Sequence, residues 1–349
     1  MSNLFQKTIS KLNTDRPPIW LMRQAGRYHS HYQNLKKKYS FMELCKTPEL
    51  ACETTMGPMR DFDFDAAILF SDLLFPLEVM GMGLDYVPGP KLGWHLKSKQ
   101  DLARLRGGAS LGSQLEYQAQ AMRLIRSELS SEKGLIGFVG GPLTLFFYAV
   151  QGSHQGELDD ARKGLKDGRF EGFLEKLIDL LAHNMALQAR AGADTIAVLD
   201  TCAGEVDLDT YTLLVKPALA AVLERFQRLC PETPITYYSK GTSPDYWSTL
   251  NDLPISCLGV DWNYNLAHVL DRFSERFAIQ GNVDPSWLLE LGSEELERKL
   301  RHTWGEVKNL TQEKRQGWIC GLGHGVLQHT PEENVRLFVR LSREIFSAK

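Results

Sequence analysis

The chain repeats one pattern along most of its length: a short apolar run of β-forming residues, a polar or glycine-containing stop, and a helical stretch. Seven runs are clear: Asp65–Asp72, Gly134–Gly141, Asp194–Thr201, Pro234–Lys240, Ile255–Trp262, Phe277–Asp284 and Gly317–Gly325. Ile19–Gln24 is a candidate for an eighth. Nearly continuous apolar strands that alternate with helices are typical of a parallel sheet covered by helices. Seven or eight such units predict an α/β fold, a single closed (β/α)8 barrel of the TIM type rather than an open Rossmann sheet.

The stretches between the runs carry helical patterns. Phe173–Ala191 and Leu213–Leu229 are amphipathic and predict two of the covering helices. The last helix is predicted to open at Thr330-Pro331-Glu332-Glu333, with threonine as N-cap, proline at N1 and glutamate at N3. Because no flexible linker divides the chain, residues 1–349 are predicted to form a single barrel domain, with an N-terminal helical extension within residues 1–60.

Composition and charge narrow the class of protein. Apolar residues make up 43% and charged residues 24%, as is usual for a globular protein with a large core. The net charge of −3 provides no bulk basic field for nucleic acid or anionic membranes. The cysteines are scattered without a C-x-x-C pair, and neither a signal peptide nor a membrane-spanning apolar run is evident. We therefore expect a cytoplasmic protein that binds neither nucleic acid nor membranes.

Polar side chains follow the ends of the predicted strands. They are Asp72, Thr201, Asp261, Asn282, Asp284 and His324. In a barrel, the carboxyl ends of the strands form the catalytic face. Helix capping explains one or two such residues but hardly all six. Asp72, by position alone, is equally a helix cap or a catalytic group, whereas the glycines that flank His324 favour contact with a ligand.

Arg23 and Arg27 lie within Arg23-Gln24-Ala25-Gly26-Arg27-Tyr28. If this turn is helical, the two arginines share a face, and like charges four residues apart destabilise a helix unless an anion lies between them. Guanidinium groups are planar forks suited to carboxylate or phosphate. Two solvated surface arginines would also explain the pattern. Tyr148, next to two phenylalanines, is by itself better interpreted as a core aromatic.

Several segments together resemble the uroporphyrinogen decarboxylase family, from about Trp20 to Glu333. The segments are Trp20–Tyr28 (WLMRQAGRY), Leu44–Glu53, Asp65–Leu74 (DAAILFSDLL), Gly137–Tyr148, Leu199–Glu205, Ile279–Pro285 and Gly321–Asn334 (GLGHGVLQHTPEEN). RQAGRY, ILFSD and LGHG in this order and spacing are highly specific. The resemblance implies a (β/α)8 barrel, typically a homodimer, without metal or organic cofactor. It also implies cofactor-independent decarboxylation of the four acetate arms of uroporphyrinogen III to methyl groups, giving coproporphyrinogen III and CO2 in haem biosynthesis.

The resemblance assigns roles residue by residue. The implied catalytic residues are Asp72, Arg23 and Tyr148, and the implied substrate-binding residues are Arg23, Arg27, Lys46, Asp72, Tyr148, Thr201 and His324. The chain also departs from the family. Leu143 stands where many members have tryptophan, Cys202 replaces a common tryptophan or histidine, and His329 stands where aspartate is frequent. The loop at residues 152–156 is less glycine-rich than usual. These differences affect loop shape and efficiency but remove no charged catalytic position.

Two other interpretations stay open at this point. A zinc-dependent methyltransferase of the same superfamily would act on corrinoid or thiol substrates, and here Cys202, Cys257 and Cys320 would have to hold the metal without any H-x-C motif. A non-catalytic tetrapyrrole-binding protein would bind the porphyrinogen without releasing CO2. Retention of Asp72 beside both arginines argues against the second alternative.

Overall fold

The computed structural model describes residues 2–13, 16–86, 89–153 and 156–347. These residues contain β1 (Ala66–Ile68), β2 (Leu84–Tyr86), β3 (Pro90–Leu92), β4 (Gly134–Gly140), β5 (Thr195–Asp200), β6 (Ile235–Ser239), β7 (Cys257–Gly259), β8 (Ala278–Val283) and β9 (Trp318–Leu322). Strands β2 and β3 form an antiparallel hairpin. The other seven form one parallel sheet in the order β1-β4-β5-β6-β7-β8-β9. Each of the seven clear runs therefore contains a strand of the predicted sheet.

The segment around Ile19 joins the two edges of this sheet. Ile19 forms a parallel bridge with Cys320 of β9, where the Trp20 N–H donates to the Cys320 carbonyl at 3.1 Å. On the other edge, the N–H of Asp65, directly before β1, donates to the Ile19 carbonyl at 2.9 Å. The Asp65 carboxylate accepts the Ile19 N–H at 2.8 Å and two N–H groups of Arg16 at 2.7 Å each. The eighth predicted run is thus a single bridging residue, and the predicted barrel is confirmed.

Helices cover the outside of the sheet. They are α1 (Leu4–Ile9), α2 (Ser30–Lys36), α3 (Phe41–Lys46), α4 (Pro48–Phe62), α5 (Phe75–Leu77), α6 (Glu116–Glu128), α7 (Pro142–Gln151), α8 (Asp159–Gly164), α9 (Arg169–Arg190), α10 (Leu208–Thr210), α11 (Lys216–Leu229), α12 (Pro244–Ser248), α13 (Leu266–Phe273), α14 (Pro285–Glu290), α15 (Ser293–Lys308), α16 (Gln312–Arg315) and α17 (Glu332–Phe346). The two predicted amphipathic helices correspond to α9 and α11, and a π-helical turn at Tyr211–Val215 precedes α11. No helix in the described part of the chain has the length and apolarity needed to cross a lipid bilayer.

The predicted start of the last helix is wrong by one residue. Pro331 is the N-cap of α17, in an extended conformation, and it has no side-chain cap bond. The Thr330 hydroxyl is buried and has no hydrogen-bond partner among the described residues. The Glu332 carboxylate instead accepts the N–H of Ser30 at 2.7 Å. Glu332, the first residue of α17, therefore also holds the first residue of α2.

The barrel interior contains an apolar cluster that α1 closes at one end. Its buried cluster is Phe5, Ile9, Trp20, Met22, Ala66, Ile136, Ala197, Leu199, Tyr238, Cys257, Ala278 and Ile319. At the amino ends of the strands, α1 closes the interior, because Phe5 lies so close to Gly134 that an added Cβ would be 2.5 Å from its ring. At the carboxyl ends, Ile68, Leu73 and Phe138 are only partly buried. These three side chains leave apolar surface accessible at the predicted catalytic face, and this surface is called the apolar floor below.

Candidate active site

Asp72 lies just beyond β1, at the carboxyl end of the barrel. Its Oδ1 accepts the N–H of Leu74 at 2.9 Å, which folds the side chain over its own turn. The next helix, α5, has Leu74 as N-cap without a side-chain cap, so Asp72 is not a helix cap. Burial raises the pKa of Asp72, and the Tyr86 hydroxyl, the Leu74 N–H and the charge of Arg23 oppose that rise. The carboxylate is thus placed where a positively charged or N–H-rich ligand would stabilise it.

Two tyrosines from distant parts of the chain face this carboxylate. Burial and the charge of Asp72 raise the pKa of Tyr86, in β2, and the pKa of Tyr148, in α7. The hydroxyl of Tyr86 is buried and has no hydrogen-bond partner of good geometry among the described residues. It still interacts with the carboxylate of Asp72, but outside the geometry of a strict hydrogen bond. Tyr148 packs against the core, as its aromatic neighbours indicated, but it is only partly buried. Both phenols keep their protons near neutral pH and can donate hydrogen bonds.

Arg23 is exposed, and it places a cation close enough for its charge to act on Asp72. Its backbone is left-handed (φ +60°), so the Arg23–Arg27 segment is a turn and not the helical turn considered above. The turn is fixed to the barrel by the buried Gln24, whose Nε2 donates to the Ala66 carbonyl at 3.1 Å. The charge of Arg23 acts on Asp72 and on Tyr148. Within the described residues, no acceptor pairs with its guanidinium, which is therefore available to an anionic ligand.

Arg27 and Lys46 lie farther out and differ in how they are engaged. Arg27 is exposed, and its charge acts on Tyr32, whose ring packs 5.5 Å from that of Phe70, two residues before Asp72. Lys46 forms an ion pair with Glu78, with 2.6 Å between Nζ and Oε1. Because a carboxylate already neutralises Lys46, the structure gives its predicted role in substrate binding no support.

His324 lies in a cluster that sequence patterns only partly identified. Its ring stacks on that of Tyr238, with 6.0 Å between centroids and 14° between planes, and lies 6.3 Å from the ring of Trp262. The charge of Arg23 also acts on Tyr238, which connects this cluster to Asp72. Tyr238 was not predicted, although the alternation of β6 places it and Thr236 on the interior face. That alternation was the available signal.

A buried carboxylate holds the helix that carries Tyr148. Asp200, the last residue of β5, accepts the N–H and the hydroxyl of Thr144 at 3.1 and 2.6 Å, and the hydroxyl of Tyr237 at 3.3 Å. These bonds fasten the first turn of α7 to β5. The adjacent Thr201 is half-buried and interacts with the thiol of Cys202, whose pKa it lowers against the effect of burial. Burial raises the pKa of Asp200 to about 6, despite the hydrogen bonds from Thr144 and Tyr237.

This raised pKa predicts how stability depends on pH. The folded protein prefers the neutral acid, so the contribution of Asp200 to stability is present below its unfolded pKa of ~3.9 and is lost as pH rises through about 6. The loss is about 3 kcal/mol for two pKa units. Asp200→Asn cannot ionise, so urea denaturation at pH 4 and pH 7.5 should show the variant gaining about 2–3 kcal/mol relative to the parent. Asp209→Asn, at an exposed position, is the control. Equal pH dependence in the parent and Asp200→Asn would contradict the assignment.

Three of the six polar residues at the strand ends form hydrogen bonds that cap a helix or hold a loop. Asp284 caps α14 by accepting the N–H of Ser286 at 2.8 Å. Asp261 accepts two backbone N–H groups, at 2.8 and 3.1 Å, and Asn282 donates to two backbone carbonyls at 2.8 Å each. Local capping and loop bonds thus explain more of this signal than the sequence analysis allowed. The residues left at the candidate site are Asp72, Thr201 and His324.

The thiols that a zinc site would need do not converge. Cys202 lies beside Thr144, Cys257 belongs to the barrel interior, and Cys320 interacts with Ser342 of α17 on the outside. Burial raises the pKa of Cys257 and of Cys320 to about 12. In residues 2–13, 16–86, 89–153 and 156–347, no three His, Cys, Asp or Glu side chains are grouped so as to hold a metal ion. The donor set required by the methyltransferase interpretation is therefore not assembled there.

Besides Cys202, described above, three positions depart from the family pattern. Leu143 is fully buried in α7. His329 is exposed with φ +73°, a backbone region in which aspartate and histidine are both enriched among residues other than glycine. Of the loop at residues 152–156, His154 and Gln155 lie outside the described residues. None of the three alters a charged residue of the candidate site.

Comparisons with known proteins agree over nearly the whole chain. The model of a family described as Uroporphyrinogen decarboxylase (URO-D) matches residues 2–345. A curated uroporphyrinogen decarboxylase from Trichlorobacter lovleyi is 35% identical over 344 residues, which is 97% of each protein. Another, from Geobacter sulfurreducens, is 34% identical over 338 residues, 96% of each. Among solved structures, a methyltransferase from Methanosarcina mazei has a TM-score of 0.78 at 18% identity, covering 99% of this chain and 100% of that one. This last likeness shows a shared fold alone.

Proposed function

The chain belongs to the uroporphyrinogen decarboxylase family, and we propose that Asp72 is the centre of its decarboxylase site. The chain is a carboxy-lyase of tetrapyrrole biosynthesis, which converts the four acetate arms of uroporphyrinogen III to methyl groups and yields coproporphyrinogen III and CO2. One observation supports the placement of the site most directly. Asp72 stands at the carboxyl end of the barrel, which also carries the apolar floor, and it feels the charge of Arg23, whose guanidinium pairs with no acceptor among the described residues.

The chemistry of the substrate matches these three features. Uroporphyrinogen is a flexible ring of four pyrroles that bears eight carboxylates. The floor formed by Ile68, Leu73 and Phe138 suits the apolar faces of the pyrroles. One carboxylate can accept several N–H donors, so Asp72 can gather the pyrrole nitrogens around itself. Arg23 and Arg27 can bind carboxylate arms as bidentate forks.

Decarboxylation leaves an electron pair on the CH2 carbon, and the reaction needs a group that accepts it. Protonation of the ring carbon next to the one that bears the acetate arm makes the pyrrole a cation, with positive charge shared by the arm-bearing carbon. Cleavage of the bond between CH2 and the carboxylate then releases CO2, and its electron pair forms an exocyclic double bond that neutralises this cation. A proton added to the CH2 carbon and one lost from the ring carbon complete the methylpyrrole. Asp72 stabilises the intermediate cation by fixed negative charge, and preorganised charge of this kind often contributes more to catalysis than any other effect. Since the substrate supplies its own electron sink, we propose that no organic cofactor is needed.

The remaining residues have supporting roles in this scheme. Arg23 places the reacting acetate above the ring, because its charge already acts on both Asp72 and Tyr148. A guanidinium is a reluctant acid, with a pKa above ~12, so a full proton transfer from Arg23 is costly. Tyr148 and Thr201 donate hydrogen bonds to carboxylate arms or orient Asp72. His324 binds a further arm at the opposite side of the cavity.

Anaerobic incubation of the purified protein with uroporphyrinogen III tests the function. We expect porphyrinogens with seven, six, five and finally four carboxylates to appear in turn, which chromatography of the oxidised products resolves. CO2 release separates catalysis from mere binding. A protein that retains the intact octacarboxylate would support the alternative of a non-catalytic tetrapyrrole carrier and contradict the decarboxylase.

Arg27→Ala tests the role of the outer cation. The variant should raise KM for uroporphyrinogen III about tenfold, since one charge-assisted hydrogen bond contributes roughly 1.5–3 kcal/mol, while kcat changes little. Lys46→Met removes a cation that Glu78 already neutralises, so it is the matched control and should change KM by less than about twofold. An unchanged KM in Arg27→Ala would remove this arginine from the proposed clamp.

We also propose that the protein acts as a homodimer in the cytoplasm, each copy forming one barrel domain, with the tetrapyrrole rather than nucleic acid as its ligand. All six cysteines are buried and unbridged, which suits a reducing compartment. The homodimer rests on the family resemblance. Sedimentation equilibrium of the purified chain measures the assembly directly.

A further inference from the structure

The pairing between β1 and β4 stops just before Asp72. At the end of the paired part, the Leu69 N–H donates to the Ile136 carbonyl at 3.0 Å. Because the peptides of a parallel strand point alternately to its two neighbours, Phe138 is the next residue of β4 to face β1. Continuation of the register would place the N–H of Ser71 on the carbonyl of Phe138. β1 ends before it reaches this position.

The side chain of Gln188, from α9, takes the place of the missing strand peptide. Its Oε1 accepts the N–H of Phe138 at 2.8 Å, and its Nε2 donates to the carbonyl of the same residue at 3.0 Å. Gln188 is fully buried, and Gly137 makes room for it, since an added Cβ there would lie 2.7 Å from Oε1. A side-chain amide provides both the acceptor and the donor that this pairing requires. Gln188 therefore satisfies the edge of β4 and occupies the position at which β1 would otherwise pair.

A second buried glutamine, Gln118 of α6, continues the connection to the chain beyond β1. One proton of the Gln188 Nε2 goes to the Phe138 carbonyl, and the other is shared by Oε1 of Gln118 and Oδ1 of Asn184, both at 3.3 Å. Since Oε1 of Gln118 accepts this bond, its Nε2 is the atom that donates to the hydroxyl of Ser71, at 3.0 Å. The peptide of Phe138 thus sets the direction of each bond in the series, and the two chain segments are joined through two amides.

We propose that Gln118 and Gln188 are positioning residues for Asp72, which hold its segment at a fixed distance from β4. The proposal rests on the proposed function, in which the charge of Asp72 stabilises the pyrrole cation. A direct strand bond would draw Ser71, and with it Asp72, toward β4. The inserted amides prevent this, and the bond to Ser71 anchors the residue directly before the carboxylate. Fixed charge of this kind is effective because it is already in place when the cation forms.

Anaerobic kinetics of Gln118→Met with uroporphyrinogen III test this positioning. Methionine keeps an unbranched, buried side chain of similar length but removes the bond to Ser71. We expect kcat to fall about tenfold while KM stays within about twofold, because a displaced carboxylate loses mainly its effect on a charge that forms during the reaction. Ser71→Ala removes the same bond from its other end and should have the same effect, with no further loss in the double variant. Gln120→Met, at an exposed position of α6, is the matched control and should keep near-parent kcat.

A double-mutant cycle with Asp72→Asn separates positioning from a purely structural role. In the Asp72→Asn background no charge is left to misplace, so Gln118→Met should lower the remaining kcat by less than about twofold. An equal fall in both backgrounds would overturn the proposal and leave the decarboxylase function intact, whereas a parent that releases no CO2 would contradict both. If Gln118→Met folds poorly, Ser71→Ala leaves the two glutamines in place and decides through the same cycle. Near-parent kcat in Ser71→Ala would also overturn the proposal.

Discussion

Asp72→Asn is expected to fold normally, and its kcat is expected to fall by a factor of about 10²–10³. This is the usual effect of removing one preorganised electrostatic group. Asparagine keeps the Oδ1 that accepts the Leu74 N–H, so the turn after β1 should survive. It loses the negative charge that stabilises the protonated pyrrole, and its amide N–H groups would face the pyrrole N–H groups. Single-turnover decarboxylation of uroporphyrinogen III measures the loss.

Stability provides the complementary measurement for this variant. Burial raises the pKa of Asp72, which means that the folded, empty site tolerates the charge poorly. Replacement by a neutral side chain should therefore leave the thermal midpoint unchanged or raise it, as happens where function holds a site in a strained state. Asp85→Asn, at an exposed position of the β2–β3 hairpin beside Tyr86, is the matched control and should keep near-normal kcat. Near-parent kcat in Asp72→Asn would refute the cation-stabilising role.

The barrel could be predicted because its strands are buried on both faces. β4, β5 and β8 are almost uniformly buried, so they appear in the sequence as continuous apolar runs followed by polar stops. The predicted strand ends were less accurate where a distant side chain hydrogen-bonds the backbone. β1 ends at Ile68, and the Phe70 N–H then donates to the hydroxyl of Thr55, so the chain leaves the sheet before Asp72. Such a bond to a distant side chain leaves no trace in local periodicity.

The strand pattern could predict a residue of the candidate site only where that residue lies at the carboxyl end of a strand. Asp72 and His324 follow runs whose carboxyl ends must meet in a barrel. Tyr86 comes from a hairpin outside the repeating pattern, and nothing in the sequence connects it to Asp72. The pairing of Lys46 with Glu78 likewise joins residues that are 32 positions apart, so neutralisation of a predicted substrate-binding cation could not be foreseen.

Arg23 should have the second largest effect, with a different kinetic signature from Arg27. Arg23→Gln is expected to lower kcat about 10²-fold and to raise KM as well, because the lost fork places the reacting acetate in addition to binding it. Glutamine faces the same left-handed backbone constraint as arginine, so the turn at φ +60° should not be further strained. Arg23→Lys keeps the charge without the planar fork and should recover only part of kcat. An effect confined to KM would assign Arg23 to binding alone.

Chemical rescue distinguishes the guanidinium itself from the shape of the turn. In Arg23→Ala the space beside Gly325 that the exposed arginine side chain occupies is vacated. Added guanidinium ion can enter that space and restore a charged, planar donor near Asp72. The kcat should therefore rise with guanidinium concentration, as long as this concentration is too low to unfold the protein. Arg27→Ala removes an exposed arginine whose charge is not among those that act on Asp72, so it is the matched control. A kcat of Arg23→Ala that does not respond to guanidinium would indicate that the arginine acts through the conformation of its turn and not through its charge.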